Sequence, residues 1–298
     1  CEVILDKTPF YGEGGGQVGD TGTIYKDGAV LTVYDTKKTD GVYVHLCTVA
    51  SGIFKVGDSV TADIDDARRD AVKRNHSACH LLQAALRRVL GSHVEQAGSY
   101  VDNERCRFDF THFSALTSDE LKKVEALVNA HILAANEIVT KETDIDTARK
   151  EGAMALFGEK YGKTVRMVKM GDFSTELCGG THCANTSNIG LFKIISESSV
   201  AAGVRRIEAV TGLGVIRLIE DNDKLISDTA KALKANNTAD MPQRAVSLQN
   251  EISAQKKEID ELNRKIAGMK LETLISDAKA VKSVRLIVAD LGNSGLDS

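Results

Sequence analysis

The chain has 298 residues, of which 42% are hydrophobic and 27% charged, and its formal net charge is −4. This length is enough for about two domains with hydrophobic cores of their own. The slightly acidic balance gives no overall attraction to nucleic acid, so a polyanionic partner needs a local basic patch. Because no run of about 18 apolar residues and no charged, then apolar leader occurs, we expect a cytoplasmic protein without a membrane partner.

The first residue is Cys1 rather than Met, and we expect the chain to be a piece of a longer protein. Six irregularly spaced cysteines indicate reduced thiols. Residues 1–65 alternate apolar and polar positions in short runs, which predicts a small N-terminal β-barrel domain. Inside it, Gly14, Gly15 and Gly16 precede Gln17. These glycines form either a flexible hairpin loop or a backbone surface that a phosphate or ribose approaches closely.

Two short motifs a hundred residues apart offer metal ligands. His76 and His80 lie four residues apart on a predicted helix that ends near Gly91, so both rings share one face. In the second motif, two glycines separate Cys178 from Thr181 and His182, and they permit a sharp turn that aims a thiolate and an imidazole at one point. Three nitrogens and one sulfur predict a site for one Zn²⁺ ion.

These motifs have two other interpretations. A single pair of histidines four residues apart is more often a coincidence of packing than a ligand pair, but a second half-site makes coincidence a weaker explanation. A metalloprotease motif is excluded, because Ser77 stands where that motif requires a glutamate as general base. Cys183 is a possible alternative ligand and more plausibly a bystander.

Residues 66–212 predict an α+β domain, because strands and helices segregate instead of alternating regularly. Thr117 and Glu120 form a capping-box signature that opens a second helix. Near the end of this domain, Arg205 and Arg206 are either a surface charge pair or a binding site in which their guanidinium groups hold a phosphate or carboxylate. The remaining predicted elements are a strand pair at 93–101 and 105–110, a helix at 145–156, and strands at 164–170 and 189–196.

From Leu213 the composition shifts to helix formers, which predicts a helical linker or coiled coil over residues 213–280. One helix is expected to end near Asn237, with Pro242 interrupting before the next. Apolar residues at alternating spacings of three and four predict a coiled-coil or hairpin seam, and a homo-oligomer through these helices is possible. The seam consists of Ile252, Ile259, Leu262, Ile266 and Met269. Residues 281–298 are expected to be the truncated start of a C-terminal domain.

With these residues assembled, the chain resembles the editing region of bacterial-type alanyl-tRNA synthetases. The resemblance extends over about residues 1–215, and it extends less specifically into the helical tail. The matching motifs are Phe10–Gln17, Asn75–Leu82, Gly152–Gly162, Cys178–His182 and Gly203–Ala209.

The resemblance implies a hydrolase that cleaves the ester of tRNA(Ala) mischarged with serine or glycine, and implies nothing about making the ester. It places the zinc ligands on His76, His80, Cys178 and His182, with Gln96 as an active-site residue beside Cys178 and His182. Substrate or tRNA contacts are expected from Arg205, from Cys79, and from Gly14, Gly15, Gly16 and Gln17 near the terminal adenosine of the acceptor end. Many relatives carry Thr at the position of Cys79, and a thiol is the weaker hydrogen-bond donor.

Two mechanisms stay open at this stage. Zinc with an open coordination position lowers the pKa of bound water to about 7, which requires one ligand to be loose; this version is favoured. Alternatively the zinc only shapes the pocket, and Gln96 or backbone groups orient the water. Two other functions also stay open: a free-standing deacylase, and a structural zinc module that docks tRNA without catalysis.

Overall fold

The computed structural model describes residues 1–154 and 162–288. The chain folds as two compact units, Cys1–Glu220 and the segment that begins at Asp221. The finer division into four domains stays a prediction. Among the described residues, no helix combines the length and the apolar character that crossing a bilayer requires.

The N-terminal segment folds into a five-stranded antiparallel sheet. Its outer strands β1 and β5 each pair on one side only, so the structure does not confirm that the sheet closes into the predicted barrel. The sheet core consists of Phe10, Ile24, Leu31, Val33 and Cys47. In chain order the strands are β1 (Glu2–Val3), β2 (Gly22–Lys26), β3 (Ala29–Thr39), β4 (Val42–Ser51) and β5 (Thr61–Ile64), arranged β1-β4-β3-β2-β5.

Helix α1 (Asp66–Leu90) is the central element of the first unit, and it confirms the predicted helix that carries the two histidines. Its N-cap is Asp65, whose side chain accepts a hydrogen bond from the backbone N–H of Arg68, and the helix ends at Gly91. Every residue from Asn75 to Leu86 is buried. A helix buried on all sides holds its side chains in fixed positions, which suits a metal site.

A second antiparallel sheet packs against α1 and forms the main core of the unit. Its order is β11-β12-β7-β6, and the largest buried side chains between sheet and helix include Phe108, Phe110 and Leu82. Helix α2 (Ser118–Leu133) begins with the capping box predicted from Thr117 and Glu120. The strands are β6 (Gln96–Val101), β7 (Cys106–Thr111), β11 (Phe192–Ala201) and β12 (Val204–Thr211).

A third, three-stranded antiparallel sheet carries the Cys178 turn. It contains β8 (Ile138–Asp144), β9 (Thr164–Met170) and β10 (Ser174–Leu177) in the order β10-β9-β8. Helix α3 (Ile145–Lys150) confirms the start of the helix predicted over residues 145–156, whereas residues 155–161 of that prediction and of the Gly152–Gly162 motif lie outside the described residues. Segregated antiparallel sheets and helices confirm the α+β class.

The tail contains helix α4 (Leu213–Ala232), helix α5 (Met241–Ser276) and the two-stranded ribbon β13 (Lys279–Val281) and β14 (Val284–Leu286). Pro242 lies in the first turn of α5, where a missing N–H costs no helical hydrogen bond. The predicted seam residues of α5 are all exposed. Association through this face therefore stays a prediction, and residues 289–298 of the expected C-terminal domain lie outside the described residues.

Candidate metal centre

The two predicted half-sites meet in the first unit. Helix α1 supplies His76 and His80, and the turn that follows β10 supplies Cys178 and His182. The ligand atoms of these four residues all lie within 4.8 Å of one another. The turn is fixed by β9, because Cys178 donates its backbone N–H to the carbonyl of Arg166, whose guanidinium donates to the carbonyls of Cys178 and Gly180.

The spacing of the ligand atoms fits a tetrahedral zinc site. The Sγ atom of Cys178 lies 3.4 Å from Nε2 of His76 and 3.3 Å from Nε2 of His182. Zinc–sulfur and zinc–nitrogen bonds of about 2.3 and 2.0–2.1 Å at tetrahedral angles would place sulfur and nitrogen roughly 3.6 Å apart. Nε2 of His80 is fully buried and has no hydrogen-bond partner among the described residues, which is costly unless a metal binds it. The cluster can therefore hold a metal ion.

Each histidine has its Nδ1 atom hydrogen-bonded to a different neighbour, so that all three present Nε2 to the common centre. His76 Nδ1 lies 2.7 Å from Oε1 of Gln17, and His80 Nδ1 lies 2.6 Å from Oε2 of Glu176. His182 Nδ1 lies 3.3 Å from Oγ of Ser77. A partner of this kind fixes the tautomer and orientation of a metal-binding imidazole.

The electrostatics of the cluster favour a thiolate. Burial raises the pKa of the Cys178 thiol. The His76 and His80 rings lower this pKa by more than burial raises it, and the net shift is strongly downward. Burial together with His76 lowers the pKa of His182 to about 3, which keeps that ring neutral. Burial also lowers the pKa of His80, but Glu176 and Cys178 more than reverse this effect. A thiolate among imidazoles is the ligand set that zinc prefers.

A cleft of about 450 Å³ opens beside the cluster, between the N-terminal sheet and the rest of the first unit. His76, His80 and Cys178 line it, whereas His182 lines a separate depression with Cys183. Cys183 does not join the ligand group. The other side chains that line the cleft include Tyr11, Lys38, Tyr43, Cys79, Gln83, Gln96, Ser99 and Arg166.

The residues of the glycine-rich loop lie in two different places, some at the cleft and some packed inside the unit. Gly14 and Gly15 line the cleft, as expected for a surface that meets substrate. Gly16 has a φ of 79°, and a Cβ there would lie 2.4 Å from Oγ of Ser99, so only glycine allows this close approach. The side chain of Gln17 is fully buried against His76 and is not part of the cleft lining. The Gln17 side chain thus lies outside the lining of this cleft, and its contact with substrate stays a prediction.

The other predicted site residues differ in where they lie. Cys79 and Gln96 both line the cleft, and Gln96 donates from Nε2 to Oγ of Ser99 at 3.2 Å. Arg205 is not among the lining residues; its guanidinium pairs with Glu197 of the neighbouring strand β11. Arg206 forms two hydrogen bonds with the Asp109 carboxylate, at 2.7 and 2.8 Å. Both arginines thus pair with carboxylates of the chain itself, Arg205 through its Nε atom and Arg206 through two nitrogens. A substrate contact of Arg205 stays a prediction.

Sequence reasoning missed several residues of the site. Gln83 lies one turn after Cys79 on the cleft face of α1, so helical spacing from the candidate ligands could have identified it. Glu176 lies two residues before Cys178, and its carboxylate is almost fully buried. A buried carboxylate beside a histidine motif is a recognisable signal, but only the fold shows which histidine it meets.

Two family models match parts of the chain. Residues 1–68 match the model described as tRNA synthetases class II (A). Residues 165–208, which include most of β9, the Cys178 turn and most of β12, match the model described as the threonyl and alanyl tRNA synthetase second additional domain. The second match includes two of the four candidate ligands, Cys178 and His182.

Curated relatives match almost the whole chain. An alanine–tRNA ligase of Acetivibrio thermocellus is 52% identical over 96% of the chain. The chain belongs to the alanyl-tRNA synthetase family. Alanine–tRNA ligase 1 of Lachnoclostridium phytofermentans is 49% identical, and an alanine–tRNA ligase of Alkaliphilus oremlandii is 47% identical, each over 99% of the chain. The chain spans 33 to 34% of the length of these relatives, so this alanyl-tRNA synthetase segment corresponds to about a third of them.

Proposed function

We propose that the cleft is an aminoacyl-tRNA deacylase site that hydrolyses the ester of tRNA(Ala) mischarged with serine or glycine. The observation that carries the proposal is the convergence of three candidate metal ligands, Cys79 and Gln96 on one cleft. Family membership and the match to the second additional domain support it. An ester carbonyl placed in this cleft meets a metal-ligand cluster on one side and polar side chains on the other.

The metal is proposed to be one Zn²⁺ ion held by His76, His80, Cys178 and His182. The buried Nε2 atom of His80 and the thiolate character of Cys178 support this assignment. When bound, zinc can polarise a substrate carbonyl as a Lewis acid or, in a site closed by four ligands, organise the surrounding side chains.

The placement of His182 favours the second of the two mechanisms predicted from sequence. If His182 were the loose ligand, its position would open toward the depression lined by Cys183 and not toward the cleft. We therefore propose that cleft groups orient the attacking water. Gln96 is suited to this role, because its Nε2 is engaged by Ser99 and its Oε1 remains an acceptor for a water proton.

The acceptor end of the tRNA is proposed to enter along the glycine-rich edge of the cleft. A Cβ added at Gly15 would meet nothing within 4 Å, so the backbone there is open to a nucleoside. The Lys38 ammonium lies 5.1 Å from the centre of the Tyr43 ring at the same edge. A cation beside aromatic rings suits a single-stranded phosphate backbone with stacked bases. This lysine is a local basic element at the cleft of a chain whose formal net charge is −4.

The experiment that tests the proposal compares release of labelled serine from Ser-tRNA(Ala) by wild type and by Cys178→Ala, with Ala-tRNA(Ala) as the control substrate. We expect fast release of serine by wild type, slow release by the variant, and an intact alanyl ester throughout. Binding of tRNA(Ala) with bound zinc but no release of serine would reject the deacylase. That outcome would support the docking-module interpretation.

A further inference from the structure

A buried side-chain amide links the N-terminal sheet segment to the candidate metal centre. Gln17 follows the glycine-rich turn, and its side chain reaches His76 of α1 across 59 positions of sequence. We propose that Gln17 is a positioning residue of the metal centre, through which the N-terminal sheet segment sets the affinity of the site for its metal. This inference rests on the proposed metal site and adds to it a residue from outside the helix and the turn that carry the ligands.

The hydrogen bonds around Gln17 define the tautomer of His76. Backbone N–H of Thr181 donates to Oε1 of Gln17 at 2.9 Å, so this atom must be the amide oxygen. Nε2 of Gln17 donates to Oγ1 of Thr181 at 3.0 Å, which agrees with that orientation. An amide oxygen only accepts, and His76 Nδ1 at 2.7 Å must therefore carry the proton. The ring can then bind a metal only through Nε2, the atom that faces Cys178.

The backbone on either side of Gln17 holds the side-chain amide in a fixed position. Gly14 and Gln17 pair across a tight turn, and the carbonyl of Gly16 accepts from the N–H of Val101 at the end of β6. Val18 in turn donates to the carbonyl of Val101 at 3.1 Å. Gln17 is completely buried, so its side chain has little rotational freedom left. A ligand partner held this rigidly fixes the ring before metal binds and lowers the cost of binding.

Gln17 differs from a residue that only packs between the N-terminal sheet and α1, because its amide oxygen accepts hydrogen bonds that no apolar side chain can replace. Removing its oxygen leaves two donors, the buried His76 Nδ1–H and the partly buried Thr181 N–H, without their acceptor. Restoring a single acceptor of the same shape should restore the metal centre, even if it carries a charge. A carboxylate as partner should make the imidazole more basic and a better ligand.

The test uses cobalt(II) as the probe in the whole chain, because the spectrum of a cobalt–thiolate site reports the ligand set without any tRNA or turnover. Cobalt affinity is measured by chelator competition for wild type, Gln17→Met and Gln17→Glu. The control is Thr36→Val, which removes the hydrogen bond from an equally buried hydroxyl to the carbonyl of Asp20 in the same segment and touches no candidate ligand. Far-UV circular dichroism verifies that each variant is folded.

We expect Gln17→Met to weaken cobalt binding by about 10- to 100-fold, Gln17→Glu to bind at least as tightly as wild type, and Thr36→Val to match wild type. Wild-type affinity in Gln17→Met, or equal weakening in both Gln17 variants, would overturn the proposal. If Gln17→Met does not fold, the comparison of Gln17→Glu with wild type decides, and weaker binding by Gln17→Glu overturns it. If wild type releases no serine but the three variants bind cobalt with the expected affinities, the proposed deacylase is rejected and this inference stands.

Discussion

Two adjacent glycines in the Cys178 turn offer a matched pair of substitutions. A Cβ added at Gly180 would lie 2.1 Å from Cε1 and 2.4 Å from Nδ1 of His76, and 2.9 Å from Oε1 of Gln17. A Cβ added at Gly179 would meet nothing within 4 Å. Neither glycine has a positive φ, so an alanine at either position carries no backbone strain. The two variants therefore differ only in the contact with His76 and its partner.

The expected effect of Gly180→Ala follows from the overlap between the added Cβ and the His76 ring. Ordinary contact begins at 3.4 Å, so the His76 ring or the turn must move by about 1.3 Å to admit the 2.1 Å contact, whereas metal–ligand distances tolerate only about 0.2 Å. We expect Gly180→Ala to destabilise the metal-free chain by about 1–3 kcal/mol, as overpacking does. We also expect it to weaken zinc binding by at least about tenfold, as loss of ligand orientation does.

The assay measures urea unfolding in chelator and zinc affinity by competition for wild type, Gly179→Ala and Gly180→Ala. Gly179→Ala should resemble wild type in both measurements. Equal stability and equal zinc affinity in the two variants would refute the close packing of His76 against the turn, and with it the geometry of the whole cluster.

Three further predictions follow from the described contacts. Glu176→Gln should weaken zinc binding by about tenfold or more in chelator competition, because His80 loses an anionic partner at 2.6 Å; unchanged affinity would contradict this role. Cys79→Thr should improve the ratio of serine release to alanine release in single-turnover deacylation, because a hydroxyl is a stronger hydrogen-bond partner than a thiol, and Cys79→Val should not. His45 should make the chain less stable in acid: burial lowers its pKa below 6.5, with the hydrogen bond to Val3 opposing, so the unfolded state binds the extra proton. The free energy of unfolding, measured in chelator, should therefore fall as pH drops through 6.5, by at most about 1.4 kcal/mol per pH unit from this group. His45→Gln should reduce that slope, and an identical slope in the variant would exclude His45 as its source.

Local chemistry made much of the fold predictable from sequence. The helix that bears His76 and His80 has a regular apolar pattern, and the capping box at Thr117 and Glu120 is a short-range signal; both were confirmed. The meeting of the histidine pair with the Cys178 turn was expected because zinc requires ligands of this kind, and the structure brings them together.

Long-range pairing was the part that sequence could not determine. The resemblance implies that Gln17 lies near the substrate, and only the fold shows that its side chain contacts His76. For Arg205 the sequence leaves a surface pair and an anion contact open, and its partner Glu197 lies on the adjacent strand, in a register that no local pattern reveals. The closure of a sheet into a barrel depends likewise on pairing between distant strands.

The most direct test of the account is a single-turnover deacylation of Ser-tRNA(Ala) by the whole chain after zinc is stripped with a chelator and after one equivalent is restored. We predict that stripping abolishes serine release, that one equivalent of zinc restores it, and that Ala-tRNA(Ala) stays intact in both states. A rate of serine release that does not change when the metal is removed would contradict a deacylase built around His76, His80, Cys178 and His182.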